Sequence, residues 1–524
     1  MTRRVRRRAL MALLVVVPAA IEKVSGQASR PAPAIRLVRS FDGLGAGFVG
    51  PHGSVAQRNP SDNSLAVGPS HVLQTVNSHL AIFTKEGQAI YGPVPTNTVF
   101  AGFGGPCQEK NNGDAVVRYD QLARRWLVVM PIFSRNPVRP DEPGPYRAGV
   151  AQRSVEGRTG QPGPAVRLPD SVPTVVARPA ASRDSGSYAM CYAVSTGTDP
   201  RGPYYRYEFV RPLFPDYPRP AVWPDGYYVP TSTGDEVIEK HACVVDRARM
   251  LAGAPATEQC VVIPGVNFLN NADLDGTELP PPGAPNPMLA AGGTQLQGEF
   301  DDDGLYLWRF QVNWADPSRT RVAGPEKIGV APYRYLCDGQ LSKCVPQPGT
   351  DVRLDAQGDK LMARVVYRRR GNVASIVAVH SVAASGGGGG VRWYELRVGA
   401  AGGVTLHQQG THAPDGRYRW MASPAIDRFG NLGIGYSFGG PEDFVGQRFA
   451  GRRRGDPRGR LTLGEVTLAN GEAAQTTTLR WEDYTQTAID PTDDCTIWYV
   501  GDYLKAGATN YSTRIGAFRL PGCR

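Results

Sequence analysis

The chain has 524 residues, of which 41% are hydrophobic, and its 62 glycines and 45 prolines stay below the level that indicates disorder. Half of its net charge of +10 belongs to residues 1–27, which carry five arginines, one lysine and one glutamate. The rest of the chain is therefore only weakly basic. It has no basic stripe with interleaved aromatic rings, so the sequence does not indicate nucleic-acid binding.

The N-terminus has the form of a targeting segment. A basic stretch, MTRRVRRR, precedes the apolar run ALMALLVVVPAA, which is too short to span a bilayer. We predict a signal peptide over residues 1–28, with an uncleaved membrane anchor as the alternative, and a linker over residues 29–40. The mature chain is then expected to be secreted or periplasmic, without a membrane span.

From residue 41 onwards a strand–turn–strand pattern recurs. SPAIDRFGNLGIGYS (Ser423–Ser437) places an alternating run after a turn at Gly430 and Asn431, and QTAIDPTDDCTIWYV (Gln486–Val500) repeats it. Units of this kind begin near residues 66, 116, 221, 300, 353, 425 and 488. They predict an all-β chain folded as a single β-propeller over residues 41–524, with seven blades, or with six or eight as neighbouring outcomes. The alternative is a pair of β-sandwich domains.

When the repeats are aligned on their strands, charged and aromatic residues recur at the same position ahead of the first strand. Asp216, Trp420 and Asp483 occupy the same position in three units, and Asp-Tyr occurs twice there, with Tyr217 and Tyr484. If the first strand of each unit is the innermost, this position lies at one mouth of the central channel in every blade. We predict a ligand-binding site there, formed by Asp62, Asp114, Asp216, Tyr217, Arg353, Arg419, Trp420, Trp481, Asp483 and Tyr484.

These residue types suit sugars, because aromatic rings cover apolar sugar faces while carboxylates and arginine bind hydroxyl or acidic groups. We expect a monomer that binds an extracellular glycan or protein ligand. One alternative is a glycan-active enzyme, a glycoside hydrolase or polysaccharide lyase, with Asp216 or Asp483 as acid or base and Tyr217 or Tyr484 in support. Others are a surface scaffold for protein partners, or residues that only cap turns and tie blades together.

No motif indicates a nucleotide or zinc site, so no cofactor is predicted apart from the option of calcium. Carboxylates cluster in NADLDGTE (Asn271–Glu278) and in DPTDD (Asp490–Asp494). Closely spaced carboxylates favour a hard cation, although solvated acidic turns have the same composition.

Eight cysteines in an exported chain predict disulfides. Cys337 and Cys344 close a short loop, and Cys495 with Cys523 could join the last strands. Cys107–Cys191 and Cys243–Cys260 are the remaining pairs. The sequence alone leaves the connectivity open.

Several of these stretches resemble a family of secreted bacterial proteins that are predicted to be β-propellers and are mostly uncharacterised. The resemblance rests on WEDYTQTAIDPTDDCTIWYVGDYL, RWMASPAIDRFGNLGIGYS and CVPQPGTDVRLDAQGDKLMARVVYR, and it runs from about residue 60 to Cys523. It implies export, the propeller fold and the positions of Cys337, Cys344, Cys495 and Cys523, but no catalytic residues. The chain departs from the family at Glu482, where glycine is usual, and at Ser64-Leu65, where Gly-Asp is usual.

Overall fold

A computed structural model describes residues 34–55, 58–133, 155–160, 163–167, 188–211, 214–232, 239–264, 268–292, 303–339 and 344–524. The predicted signal peptide lies outside the described residues. The described chain is nearly all β, with short α-helices at Gly105–Glu109 (α1) and Arg247–Leu251 (α2). Single 3₁₀ turns occur at Thr96–Phe100, Pro317–Arg319 and Leu336–Gly339.

The strands are numbered in chain order. The first group comprises β1 (Arg36–Asp42), β2 (Val49–Gly50), β3 (Gly53–Ser54), β4 (Ser64–Val67), β5 (His71–Val76), β6 (His79–Thr84), β7 (Ala89–Pro95), β8 (Val116–Asp120), β9 (Arg125–Ile132), β10 (Val155–Gly160), β11 (Gly163–Arg167) and β12 (Tyr188–Ser195). The second comprises β13 (Pro203–Arg211), β14 (Ala221–Trp223), β15 (Gly226–Tyr228), β16 (Glu239–Val245), β17 (Ala256–Pro264), β18 (Asn270–Leu274), β19 (Asn286–Ala291), β20 (Gly304–Gln311), β21 (Arg321–Gly329), β22 (Val345–Gln347) and β23 (Thr350–Leu354). The third comprises β24 (Val365–Arg370), β25 (Val373–Ala383), β26 (Gly389–Val398), β27 (Val404–His412), β28 (Tyr418–Ile426), β29 (Leu432–Gly439), β30 (Gly446–Arg452), β31 (Leu463–Ala469), β32 (Gln486–Ile489), β33 (Ile497–Tyr503) and β34 (Ser512–Arg519).

Most strands belong to antiparallel sheets in which the chain moves outward from a first strand. Their orders are β4-β5-β6-β7, β8-β9-β12-β13-β11, β14-β15-β16-β17-β10, β28-β29-β30-β31 and β32-β33-β34-β1. An eight-stranded sheet contains two such meanders, β18–β21 and β24–β27, joined by parallel pairing of β18 with β24. Two small hairpins, β2–β3 and β22–β23, stand apart from these sheets.

The first strands of successive sheets contact one another. The contacting pairs are β4 with β8, β8 with β14, β14 with β18, β18 with β24, β24 with β28, β28 with β32 and β32 with β4. Buried side chains from successive sheets then pack face to face, for example Phe449 of β30 on Phe518 of β34, with ring centroids 4.1 Å apart. Strands buried on both faces explain why the sequence shows long apolar runs as well as alternation.

The N-terminal segment departs from the predicted linker. The stretch from Arg36 is strand β1, which pairs antiparallel with β34, the last strand of the chain. This pairing gives the backbone groups of both strands hydrogen-bond partners, and Phe41 of β1 packs on Phe83 of β6 with ring centroids 5.5 Å apart. The prediction of a linker through residue 40 was therefore wrong from Arg36 onward.

Two of the seven predicted repeat starts were misplaced. The unit expected near residue 300 is β20, the third strand of its meander, which begins at β18. The unit expected near residue 353 is the hairpin β22–β23, and the meander begins later, at β24. Strands in different positions of a meander share the same apolar pattern, so the pattern alone does not identify the first one.

All four predicted disulfides are present: Cys107–Cys191, Cys243–Cys260, Cys337–Cys344 and Cys495–Cys523. The second directly links the neighbouring strands β16 and β17. Among the described residues, no helix has the length and apolar character needed to cross a membrane.

Candidate functional site

Four aspartates from four sheets meet just ahead of the first strands. Asp62 precedes β4, Asp114 precedes β8, Asp216 precedes β14 and Asp483 precedes β32. Asp62, Asp114 and Asp483 have positive φ angles of 47°, 53° and 76°, a conformation that aspartate tolerates better than most residues. The chain thus turns sharply at each of these positions before entering the first strand.

Three of these carboxyl groups form a hydrogen-bonded chain, which we call the acidic trio: Asp62, Asp114 and Asp216. The Asp114 carboxylate accepts hydrogen bonds from the carboxyl groups of Asp62 and Asp216. Burial, followed by the charge of Asp114, raises the pKa of both Asp62 and Asp216 well above the usual value of 3.8. Burial also raises the pKa of Asp114, so all three groups hold protons more firmly than a free aspartate does, and at least one member of each hydrogen-bonded pair is protonated.

Backbone and amide contacts hold the acidic trio in place. Asn77 Nδ2 donates to Asp62 Oδ2 at 2.6 Å, and the backbone N–H of Tyr217 donates to Asp114 Oδ2 at 3.4 Å. The backbone of Asp216 forms a two-way hydrogen-bonded bridge with Ser232. Asp62 is fully buried, whereas Asp114 and Asp216 are partly exposed, so a ligand would reach the trio from their side.

The neighbouring acidic residues have cationic partners. Arg480 lies 3.1 Å from Asp355 and 2.6 Å from Asp483, and Lys360 Nζ lies 2.8 Å from Asp359. Burial, followed by the charge of Asp483, still raises the pKa of Asp355 to about 7. In the described part of the chain, no basic side chain lies within ion-pair distance of the trio, but the charge of Arg480 acts to lower the pKa of Asp62.

Aromatic rings form the inner boundary of the site. The rings of Tyr217 and Tyr484 meet edge to face with centroids 5.0 Å apart, and Phe268 lies edge-on to Tyr217 at 5.6 Å. The guanidinium of Arg219 lies 4.0 Å from the centre of the Tyr217 ring. Tyr217 Oη donates to the backbone oxygen of Asp483 at 2.6 Å, whereas the buried Tyr484 Oη has no hydrogen-bond partner among the described residues.

The structure places the other predicted ligand residues elsewhere. Trp420 and Trp481 are buried in one hydrophobic cluster, where Trp481 Nε1 donates to Ser437 Oγ at 3.0 Å. Arg419 is buried in ion pairs with Glu465 and Asp415 at 2.6 and 2.8 Å.

Arg353 is exposed on β23, where its Nη1 donates to the backbone oxygen of Cys344 at 3.3 Å. None of these four side chains belongs to the candidate site. For Trp420, a β-bulge between Trp420 and Ser423 shifts the register of β28.

The acidic segments considered for calcium are engaged by basic side chains. Asp273 lies 3.2 Å from Arg118 and 2.9 Å from Arg364, and Asp490 lies 2.7 Å from Lys85. Within the described ranges, the groups of three potential metal ligands that converge all contain disulfide-bonded cysteines, whose sulfurs are not available to a metal. Calcium binding stays a prediction without a defined position.

Sequence reasoning missed Asp355, Asp359, Lys360, Arg480 and Arg219 as neighbours of the predicted aspartates. Asp355, Asp359 and Lys360 belong to the segment between β23 and β24. Because the repeat start was placed near residue 353, this segment was assigned to a strand and its turn. A placement of the first strand at Val365 would have put Asp359 and Lys360 just ahead of it, at the level of Asp483.

The chain matches no family model and no curated protein. Among solved structures, a protein of unknown function from Dyadobacter fermentans is similar over 93% of this chain and 100% of its own, with 9% identity and a TM-score of 0.36.

A subtype N10 neuraminidase-like protein of A/little yellow-shouldered bat/Guatemala/060/2010 is similar over 76% of this chain and 96% of its own, with 10% identity and a TM-score of 0.32. An alpha-L-arabinofuranosidase from Podospora anserina, solved with cellotriose, is similar over 57% and 89%, with 10% identity and a TM-score of 0.24. Similarity at this level assigns no activity to the chain.

Proposed function

We propose that the chain is an exported β-propeller of seven blades that binds a glycan at the acidic trio. The seven first strands, β4, β8, β14, β18, β24, β28 and β32, contact one another in an order that returns to β4. The pairing of β1 with β34 would then close the ring by joining the two ends of the chain in one blade. Four disulfides support the view that the chain is exported.

The observation that carries glycan binding is the mixture of groups around the trio. Asp114 and Asp216 are partly exposed acceptors, and the Arg480 side chain, 43% exposed, pairs with Asp355 and Asp483 and acts on the charge of Asp62. A polyhydroxylated ligand needs both acceptors and donors, because each hydroxyl that it buries must keep a hydrogen-bond partner. An apolar ligand would leave these groups without partners.

A glycan array and a panel of soluble polysaccharides, probed with the oxidised protein, test this proposal. Wild type and the control Asp351→Asn, which changes an exposed aspartate on β23, are expected to bind the same glycans. Asp114→Asn is expected to weaken that binding tenfold or more, which corresponds to about 1.4 kcal/mol. The proposal is wrong if no glycan binds, or if Asp114→Asn binds as well as wild type.

A second candidate function, glycan cleavage, is favoured by the Asp114–Asp216 pair. The two hydrogen-bonded carboxyl groups share a proton within one partly exposed site, so one could give a proton and the other accept one in acid–base catalysis. Release of reducing ends or unsaturated products from any bound polysaccharide would support it. In that case Asp216→Asn is expected to abolish turnover while the glycan still binds.

A further inference from the structure

The turn between β28 and β29 collects arginines from three segments of the chain. Residues 427–431 form this turn and contribute one arginine themselves. Arg370, the last residue of β24, donates from Nη1 to the backbone oxygen of Phe429 at 3.2 Å. The backbone N–H of Arg454, which follows β30, donates to Asn431 Oδ1 at 3.1 Å. We call these three residues the arginine triad: Arg370, Arg428 and Arg454.

Glycine at position 430 makes room for one guanidinium group of the triad. Gly430 has a positive φ of 80°, and a Cβ atom there would overlap the guanidinium of Arg370. The guanidinium of Arg428 lies 4.8 Å from the centre of the Phe429 ring. The local backbone and its aromatic ring therefore hold two planar cations beside one turn.

No described acidic side chain lies within ion-pair distance of the arginine triad. Adjacent arginines differ in this respect, since Arg368 pairs with Asp494, and Arg453 pairs with Asp456 at 2.8 Å. The carboxylate of the turn, Asp427, is buried, and one of its oxygens accepts from two backbone N–H groups of the turn at 2.8 and 2.9 Å. The triad thus has donors that the described chain does not pair with an anion.

The arginines of this region act on one another as like charges. Burial, followed by the charges of three other arginines, lowers the pKa of Arg370, and the charge of Asp427 opposes this as the weakest of these causes. The three are Arg454, Arg397 and Arg368. Cations held close together repel, so an anion bound among them would lower the free energy of the folded chain.

The arginine triad and the acidic trio lie toward opposite ends of the first strands. Arg370 ends β24, whereas Lys360 precedes the same strand and lies with Nζ 5.4 Å from the centre of the Tyr217 ring, which borders the trio. The six residues of β24 span about 20 Å. A ligand on the triad is therefore separate from a glycan at the trio, and the inference goes beyond the proposed function.

We propose that the arginine triad binds an acidic polysaccharide through the carboxylates of its sugars. Arg428 and Arg454 are exposed and Arg370 is half-buried, so their N–H donors are open to a large ligand. A guanidinium binds a carboxylate through two parallel hydrogen bonds, and a polymer that repeats the carboxylate contacts several arginines at once. In an exported protein, such a surface would attach the chain to a matrix of acidic polysaccharide.

The aromatic ring at the triad favours a polysaccharide over a lipid surface or a single-stranded nucleic acid. Phe429 is 38% exposed, but the guanidinium of Arg428 covers its ring. Insertion among lipid chains and stacking on a base both need an open apolar ring. A carboxylated sugar chain needs only the guanidinium groups.

Polygalacturonate and its methyl ester test the inference, because they share a backbone and differ in charge. Titration calorimetry at about pH 7 keeps the carboxylates of the first polymer ionised. We expect polygalacturonate to bind at least tenfold more tightly than the ester. Its binding should weaken when NaCl is raised from about 0.05 to 0.5 M, since salt screens exposed charges.

Two double variants with the same change in net charge locate the binding surface. Arg428→Gln/Arg454→Gln is expected to weaken polygalacturonate binding tenfold or more at an unchanged Tm, because both side chains are exposed. The control Arg319→Gln/Arg321→Gln removes two exposed arginines that form no ion pair with any described residue, and it should bind like wild type. Equal losses from the two variants would overturn the inference.

Asp114→Asn separates the inference from the proposed function, since it should leave polygalacturonate binding unchanged. If Asp114→Asn abolishes that binding, the polymer occupies the acidic trio and the inference is wrong. It is also wrong if the methyl ester binds as tightly, or if neither polygalacturonate nor alginate binds. Tighter binding of duplex DNA or of phosphatidylglycerol vesicles, lost in Arg428→Gln/Arg454→Gln, would assign the triad to that partner instead.

Discussion

Two sets of aspartates lie on or just ahead of the first strands of the sheets, and their charges are neutralised in different ways. Asp273 of β18 and Asp275 just after it are buried against Arg364, and Asp273 also contacts Arg118 of β8. Asp114 of the acidic trio precedes β8, and the trio is held by shared protons and by hydrogen bonds from Asn77 and the backbone of Tyr217. In the first arrangement arginines neutralise the carboxylates, whereas in the second the raised pKa values mean that protons do so.

Removal of Arg364 is expected to have the largest effect and tests the first half of this contrast. Arg364→Met removes the ion pairs to Asp273 and Asp275 while both carboxylates stay buried. Loss of one partner of a buried ion pair costs about 3–5 kcal/mol, so urea unfolding should show a loss of this size.

The exposed pair Arg201–Asp199 provides the matched control for that experiment. Its side chains are 47% and 50% exposed, so Arg201→Met should cost less than about 1 kcal/mol. Equal losses from the two substitutions would show that the ion pairs of Asp273 and Asp275 have no special role in the fold.

Trp420→Ala sharpens the contrast, because Trp420 shares its sequence register with Asp216 and Asp483. Its side chain is fully buried in a hydrophobic cluster rather than at the trio. Truncation of a buried tryptophan costs about 3–5 kcal/mol, so the midpoint of denaturation should fall sharply. Trp420→Phe should recover most of this loss. If Trp420→Ala unfolds like wild type but loses glycan binding, the tryptophan contacts ligand after all.

The sequence predicted the strands better than it predicted the site. Repeats identify strands because burial on both faces requires apolar residues at regular positions, and this requirement is local. Asp216 and Asp483 could be predicted as neighbours because each stands a few residues before a first strand. Trp420 could not be excluded, since a β-bulge and the positive φ of Met421, 48°, follow from tertiary packing rather than from a local motif.

Partners that come from distant segments were harder to predict. Arg480 and Lys360 approach the site from segments without a recognisable repeat, and their roles depend on which carboxylate each one faces. Which cation pairs with which carboxylate depends on how distant segments come together in the fold, so the composition of the sequence does not reveal the pairs. The same limit applies to the acidic trio, whose carboxyl groups come from segments far apart in the sequence.

The buried carboxyl groups of Asp502 and Glu482 make the stability of the fold depend on pH. Burial raises the pKa of Asp502 to about 8, and burial followed by the charge of Asp502 raises that of Glu482 well above its usual value. The folded chain therefore holds protons that the unfolded chain releases above about pH 4, so stability should fall as the pH rises toward 8. The slope should approach about 1.4 kcal/mol per pH unit for each such proton.

Urea unfolding between about pH 5 and 8 measures this slope, and Asp502→Asn is the matched variant. Its amide stays neutral throughout, so the variant should lose stability less steeply than wild type. Asp502 accepts from Asn63 Nδ2 at 2.9 Å, and Glu482 accepts from the backbone N–H of Asp502 at 2.7 Å. A stability curve that rises from pH 5 to 8 in wild type would contradict the raised pKa values.

Asp216→Asn is expected to have the smallest effect on stability and tests the second half of the contrast. The protonated Asp216 carboxyl donates to Asp114, and an asparagine amide can donate in the same place. Stability at neutral pH should therefore change by no more than about 0.5 kcal/mol, or rise slightly, because the amide never ionises. A loss as large as that of Arg364→Met would show that Asp216 stabilises the fold as Asp273 does. An unchanged Tm with altered glycan binding would instead mark the trio as a position kept for a ligand.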